Sequence, residues 1–304
     1  MIGARRGATG PGRTARAALA AALAFFCLGA VSDEIARGDS AWARRAMGER
    51  EGRPLPGPIL EAVSAYESAL AARPESLEAR WKLLRALHFA GDFVSRSEDV
   101  RREIFDRAAT VSERGLDLLA DLAGSGVRLE DGDPEQIGPR LDEAGIRRID
   151  VARIYFWSAI NWGAWSRVVG LLGAVRQGVA ERLHRYTLIA IALEPDYDEG
   201  GALRLLGRLH AELPRVPFLT GWVDRDLALP MVERAYALAP ANPGNRLLLA
   251  LTLLDLAPER REEAIGLLDQ VGRLEPRPSM RIEDLAMRRE AQERLAAGIA
   301  RGST

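Results

Sequence analysis

The sequence predicts an all-α fold built as an array of antiparallel helical hairpins. Three observations carry that expectation. The first is composition: Ala, Leu, Arg and Glu are abundant, β-branched residues are sparse, and few segments alternate as a half-buried strand would. The second is a four-position register that occurs three times, each time just before a proline. Ala62, Tyr66, Ala69 and Pro74 form the first set, Ala228, Val232, Ala235 and Pro240 the second, and Ala264, Leu268, Val271 and Pro276 the third. The third is punctuation: segments of helical length start at capping residues and stop at Gly or Pro.

The first three positions of each register share one helix stripe, because residues three and four apart face the same neighbour. A small side chain there lets a second helix cross closely, and the bulky one fills the groove beside the crossing. Proline then stops the helix. Pro240 and Pro276 stand 36 residues apart, and the segment Asn242 to Pro276 reads as one complete hairpin. Its spacing resembles a tetratricopeptide (TPR) repeat, which implies a helical binding scaffold.

The elements follow in order. Residues 1–32 read as a secretory signal: Arg5, Arg6, Arg13 and Arg16 without an acid, an apolar run from Ala17 to Val31, and Ala30-Val31-Ser32 as a cleavage site before Asp33. Cys27 lies inside that run, and a lipid anchor through it is disfavoured because Phe26 stands where a lipobox has a small residue. Residues 33–58 are expected to hold a short helix around Ala41–Arg50 and a linker broken by Pro54, Pro56, Gly57 and Pro58. Residues 59–300 are expected to form the TPR-like helical domain. Within it, Ile59–Ala72 carries the first register, Ser76 caps a helix over Leu77–Phe89, and a longer amphipathic helix spans Asp99–Leu122. Asp133-Pro134-Glu135-Gln136 is a helix start, with the preceding acidic loop solvated. An aromatic stretch runs from Ile149 to Val169, one helix spans Leu171–Leu193 and another Gly200–Leu213. The second and third registers and a closing helix at Ile282–Ile299 complete about twelve helices.

The chain has 304 residues, 47% hydrophobic and 28% charged, within the range of folded proteins. Loss of residues 1–32 would remove four of 42 basic residues and none of 43 acidic ones, leaving 38 against 43, a net charge of −5. That balance argues against nucleic acid as a partner. His88, His184 and His210 are far apart in sequence, and none has metal-ligand spacing. Neither a nucleophile motif nor a phosphate loop is present. We therefore expect no enzyme activity, no metal and no cofactor.

The best candidate site is the aromatic block Tyr155, Trp157, Asn161, Trp162 and Trp165. Trp157, Asn161 and Trp165 are four residues apart and share a helix face, with Trp162 at its edge. Two readings stay open. Large aromatics at this spacing pack between hairpins as core, or with Asn161 they line a groove for a ligand or partner.

Several segments, in order, resemble one family. They are Gly38-Asp39-Ser40-Ala41-Trp42-Ala43-Arg44-Arg45, the first register, the block from Tyr155 to Trp165, the turn Glu194-Pro195-Asp196-Tyr197, and Gly200-Gly201-Ala202-Leu203-Arg204-Leu205-Leu206-Gly207. The Leu213-Pro214 break and the last two registers follow. The set resembles the T-component (TatT) proteins of tripartite ATP-independent periplasmic (TRAP) transporters over residues 36–296. The resemblance implies an exported, periplasmic, TPR-like accessory protein. Its implied partner is the periplasmic solute-binding protein, with self-association into a homo-oligomer and a small hydrophobic ligand also expected. The other function class is a general envelope scaffold that recognises peptides or assembles other proteins.

Overall fold

The computed structural model describes residues 31–124 and 126–302, and the signal and Cys27 readings fall outside them. Among the described residues the chain is helical, with one isolated bridge between Arg50 and Arg53 in place of any strand. The helices are α1 (31–43), α2 (Pro56–Ala72), α3 (Leu77–Phe89), α4 (Glu98–Leu122), α5 (Pro134–Glu143), α6 (Arg148–Arg176), α7 (Val179–Leu193), α8 (Gly201–Glu212), α9 (Ala228–Leu238), α10 (Pro243–Leu256), α11 (Arg261–Gly272) and α12 (Arg281–Gly302).

They pack as consecutive antiparallel hairpins: α1/α2, α3/α4, α6/α7, α8/α9 and α10/α11, with α12 covering the last. First helices also touch the next first helix, as α3 touches α6, α8 touches α10 and α10 touches α12. Helix α5 is an insertion that packs on α6 and α7. All-α architecture in stacked helical pairs is therefore the fold.

Local chemistry sets the helix ends. Ser76 accepts from the Ala79 amide, Asp133 from the Glu135 amide, and Asn242 from the amides of Gly244 and Asn245, so three expected caps are made. The three registers lie on α2, α9 and α11, the second helices of their hairpins, and all nine of their helical side chains are buried. Two further second helices use the same spacing in weaker form. Ala108, Ser112 and Gly115 on α4, and Leu183, Thr187 and Ala190 before Pro195 on α7, are also buried. A Cβ at Gly115 would come within 2.6 Å of the Arg80 side chain, so that crossing needs glycine.

Four expectations need correction. The first helix covers 31–43 rather than Ala41–Arg50, because Val31 and Ile35 pack against Ala69 and Ala79 and hold the earlier turns in place. Residues expected as one helix from Leu171 to Leu193 are two: Leu171–Arg176 continue α6 beyond a break at Gly170, and Gly178 starts a new element. Both glycines have positive φ, at 74° and 60°, which glycine adopts without a Cβ clash. Pro56, Gly57 and Pro58, expected as part of a linker, are the first turn of α2, where prolines give up no helical hydrogen bond. Finally, the acidic loop is not wholly solvated, since the Glu130 side chain is buried and accepts from the Tyr155 hydroxyl.

The array also closes on itself. Arg45, just after α1, donates to Glu283 of α12 at 2.9 and 3.1 Å and to the Ser279 carbonyl. Arg281 pairs with Glu49 at 3.0 Å, and Arg289 donates to the Glu51 carbonyl. The first and last elements thus meet.

If the buried small positions are true crossings, Ala69→Leu and Ala235→Leu should each cost about 1–3 kcal/mol through overpacking. Arg73→Ala, on an exposed side chain paired with Glu75, should stay within about 0.5 kcal/mol. Urea denaturation of the three variants decides the point, and equal shifts would remove the register's significance.

Candidate functional site

Side chains of α1, α3, α6, the residues just after α1 and the turn before α8 meet in the interior of the array as an alternating stack of rings and cations. Arg45 lies 4.2 Å from the centre of the Trp42 ring and Arg85 lies 4.0 Å from the same ring. Arg85 is also 4.9 Å from Trp81, and Arg153 is 4.6 Å from Trp81 and 5.6 Å from Tyr197. Such contacts draw a guanidinium to the electron-rich ring face. Helical spacing supplies two of them, since Trp42 and Arg45 are three apart and Trp81 and Arg85 four apart, and the others cross between elements.

The cations differ in their counter-charges. Arg45 has Glu283, Arg153 has Asp150 at 3.4 Å, and Lys82 has Asp39 at 2.6 Å and Glu78 at 2.7 Å. Arg85 has no carboxylate within ion-pair distance among the described residues, and its Nε has no hydrogen-bond partner. Burial pulls its pKa down, Arg45 adds to that, and the hydroxyls of Tyr66 and Tyr197 oppose it. Arg80, similarly lowered by burial, differs because it donates to the carbonyls of Pro74 and Val111. Arg85 is thus a half-buried positive charge between two tryptophans, presented to the interior without neutralisation. The Nε1 of Trp81 and the Nε of Arg153 beside it are also unpartnered donors.

The aromatic block divides between this interior and the core. Trp157 borders the site: it is half-buried, its Nε1 donates to the Tyr197 hydroxyl at 2.9 Å, and its ring lies 5.9 Å from His88. Burial pushes the Tyr197 phenol up to about 12. The other four residues are core. Tyr155 is fully buried, set edge-on to Tyr186 at 5.5 Å, and burial raises its pKa well above the ordinary value. Asn161 donates to the carbonyls of Leu84 at 2.9 Å and Trp157 at 2.8 Å, tying α6 to α3. Trp165 donates to Asp106 of α4 at 2.7 Å and sets its ring edge-on to Trp162. The block does not act as one face because α3, α4 and α7 surround α6 and each takes some of its side chains.

The sequence reading left Trp81, Arg85 and Arg153 out of the site. The tryptophan–arginine pairs at helical spacing on successive first helices were the available signal. The structure also gathers two of the three histidines: His184 stacks on Trp222 at 4.1 Å and lies 6.5 Å from His210, whose Nδ1 accepts from the Asp224 amide. Among the described residues no group of three or more His, Cys, Asp or Glu is placed to hold a metal ion. No family model matches the sequence, and no curated protein matches it.

Trp165→Ala should cost about 3–5 kcal/mol, more than Trp157→Ala. Asn161→Ala, which strips a donor from two buried carbonyls, should cost about 1–3 kcal/mol. Chemical denaturation would rank the three. If Trp157 proved the costliest, it would join the core rather than border the interior.

Burial also holds the imidazoles of His88, His184 and His210 below their usual 6.5, with Asp92, Glu181 and Asp224 respectively opposing it. The folded protein keeps them neutral while the unfolded chain protonates, so stability is level above 6.5 and falls as pH drops below it. Melting temperature should decline from about pH 6.5 to about pH 5, and His88→Gln should flatten part of that decline. An unchanged slope in the variant would remove His88 as a cause.

Proposed function

We propose that this protein is a non-enzymatic, TPR-like binding protein of the periplasm. In this reading it is an accessory of a TRAP-type transport system that engages the solute-binding subunit. The interior stack holds an acidic group of the ligand or partner at Arg85. The observation that carries the binding site is the un-neutralised Arg85 guanidinium between Trp42 and Trp81. A guanidinium offers a planar fork that matches a carboxylate, and flat rings on either side favour an apolar or aromatic remainder. This sharpens the expected small hydrophobic ligand into one that also carries a negative charge.

Support for the transport context comes from the ordered motifs that resemble the T-component proteins. Support for export comes from the order of basic, apolar and small residues in 1–32. Among the described residues no helix is long and apolar enough to cross a membrane.

Affinity capture from envelope extracts, with mass spectrometry of partners and co-purifying small molecules, tests the reading. A solute-binding subunit or a carboxylate-bearing compound is the expected catch. Arg85→Gln should weaken capture about 10- to 100-fold, the loss of one charge-assisted contact, while leaving the melting temperature little changed. Capture that is indifferent to Arg85→Gln would remove the interior from the binding mechanism.

A further inference from the structure

Closure of the array creates a cleft of about 420 Å³ where α12 meets the residues after α1, a size that suits a small ligand. Gly52 and Arg53 line one part of it with Ala286 and Arg289 of α12, and the Arg289 side chain ties the two segments together by donating to the Glu51 carbonyl at 2.9 Å. The rest is lined by a π-helical turn over Ala90–Val94 and by the start of α4. In that turn the Ser95 amide donates to the Ala90 carbonyl, five residues back, at 2.9 Å. Such widened turns recur at functional sites.

Four arginines, Arg53, Arg96, Arg101 and Arg289, line the cleft against two carboxylates, Asp92 and Glu98. Asp92 is already engaged, by Arg167 at 2.7 Å and by Arg101 at 3.4 Å. His88 stands 3.8 Å from Asp92, buried and neutral. Arg53 and Arg96 are exposed, and neither they nor Glu98 have an ion-pair partner among the described residues. The Nε of Arg101 is buried without a hydrogen-bond partner. Residues next in sequence or ion-paired to these add Glu51, Asp99 and Glu290, and against them Arg102, Arg167, Arg288 and Arg294. The positive excess is therefore not cancelled from nearby.

The cleft is not wholly polar. Phe93, Val94 and Ala286 also line it, and Phe93 is held to the core by the Phe89 ring at 5.1 Å. Guanidinium groups from three separate segments thus surround one hollow that has an apolar side.

We propose that this cleft binds a small, soluble phosphate monoester with an apolar organic part. The phosphate head carries about two negative charges at neutral pH and three acceptor oxygens, which several arginines can share. A carboxylate brings one charge and two oxygens, and leaves part of the excess unmet. The organic part lies on Phe93 and Val94. This site is distinct from the Arg85 stack and does not rest on the reading given to it.

Titration calorimetry of the full-length protein at fixed ionic strength, with phenyl phosphate, inorganic phosphate and benzoate as probes, tests the proposal. Phenyl phosphate should bind more tightly than inorganic phosphate and at least about tenfold more tightly than benzoate, and it should slow amide hydrogen exchange in residues 90–96. Arg53→Gln and Arg96→Gln remove exposed side chains without ion-pair partners, so the fold should stand, which an unchanged melting temperature verifies. Each should weaken phenyl phosphate about tenfold, the loss of one charge-assisted contact, and the pair about a hundredfold. Arg85→Gln should leave that affinity unchanged. Benzoate binding as tightly as phenyl phosphate would overturn the proposal, as would phenyl phosphate binding no more tightly than inorganic phosphate. Loss of binding in Arg85→Gln with retention in the double variant would overturn it by moving the anion to the interior. Co-sedimentation with phosphatidic acid vesicles without any binding of phenyl phosphate would overturn it in favour of a lipid headgroup.

Discussion

Close approach of helix backbones at small side chains is the constraint on which the rest of this structure depends. Each second helix presents a buried stripe at the same spacing, and on α4 and α9 the stripe meets its neighbour where a larger side chain would not fit. Gly207 shows how tight this becomes: a Cβ there would lie 2.7 Å from Val232 and 2.9 Å from the Ala228 carbonyl. Packing at that distance fixes the hairpin geometry, because interiors of this density relax little. The angle between hairpins then sets how far the array curves, and so how close its first and last elements come.

The curvature makes polar contacts between residues far apart in sequence. Arg45 and Glu283 are 238 residues apart and nearly buried, so their pairing depends on every hairpin between them. The same curvature crowds arginines against tryptophans in the interior. A guanidinium suits such a place better than an ammonium, since it is weakly hydrated and stacks on a ring. Most of these cations have an acid to face. Arg85 has hydroxyls and rings only, and a charge left in that state is costly unless something brings the opposite sign. A structural role would call for a carboxylate beside it, as Arg45 and Arg153 have; a binding role leaves that position to the ligand.

The aromatic block shows where sequence periodicity misleads. Trp157, Asn161 and Trp165 do share a helix stripe, but α6 is enclosed by several neighbours rather than one. A stripe predicts a common partner only when the helix has a single buried face. Here Trp157 reaches Tyr197, Asn161 reaches the Leu84 carbonyl, and Trp165 reaches Asp106. The weaker registers on α4 and α7 escaped the sequence reading for a related reason. Ser112 and Thr187 stand where the groove-filling residue is usually bulky, and buried crossings tolerate that exchange when neighbours fill the space.

The sequence by itself determined the helical class, most helix boundaries, the caps at Ser76, Asp133 and Asn242, and the buried stripes of α2, α9 and α11. All of these follow from residues within a turn or two of one another, where backbone geometry and side-chain size act locally. Only the tertiary structure decided the closure of the array, the separation of the aromatic block, and the assembly of Trp42, Trp81, Arg85, Arg153 and Tyr197 into one stack. Those depend on how small crossing angles accumulate over successive hairpins. A local spacing fixes each crossing closely enough to recognise, but their sum sets which distant side chains meet.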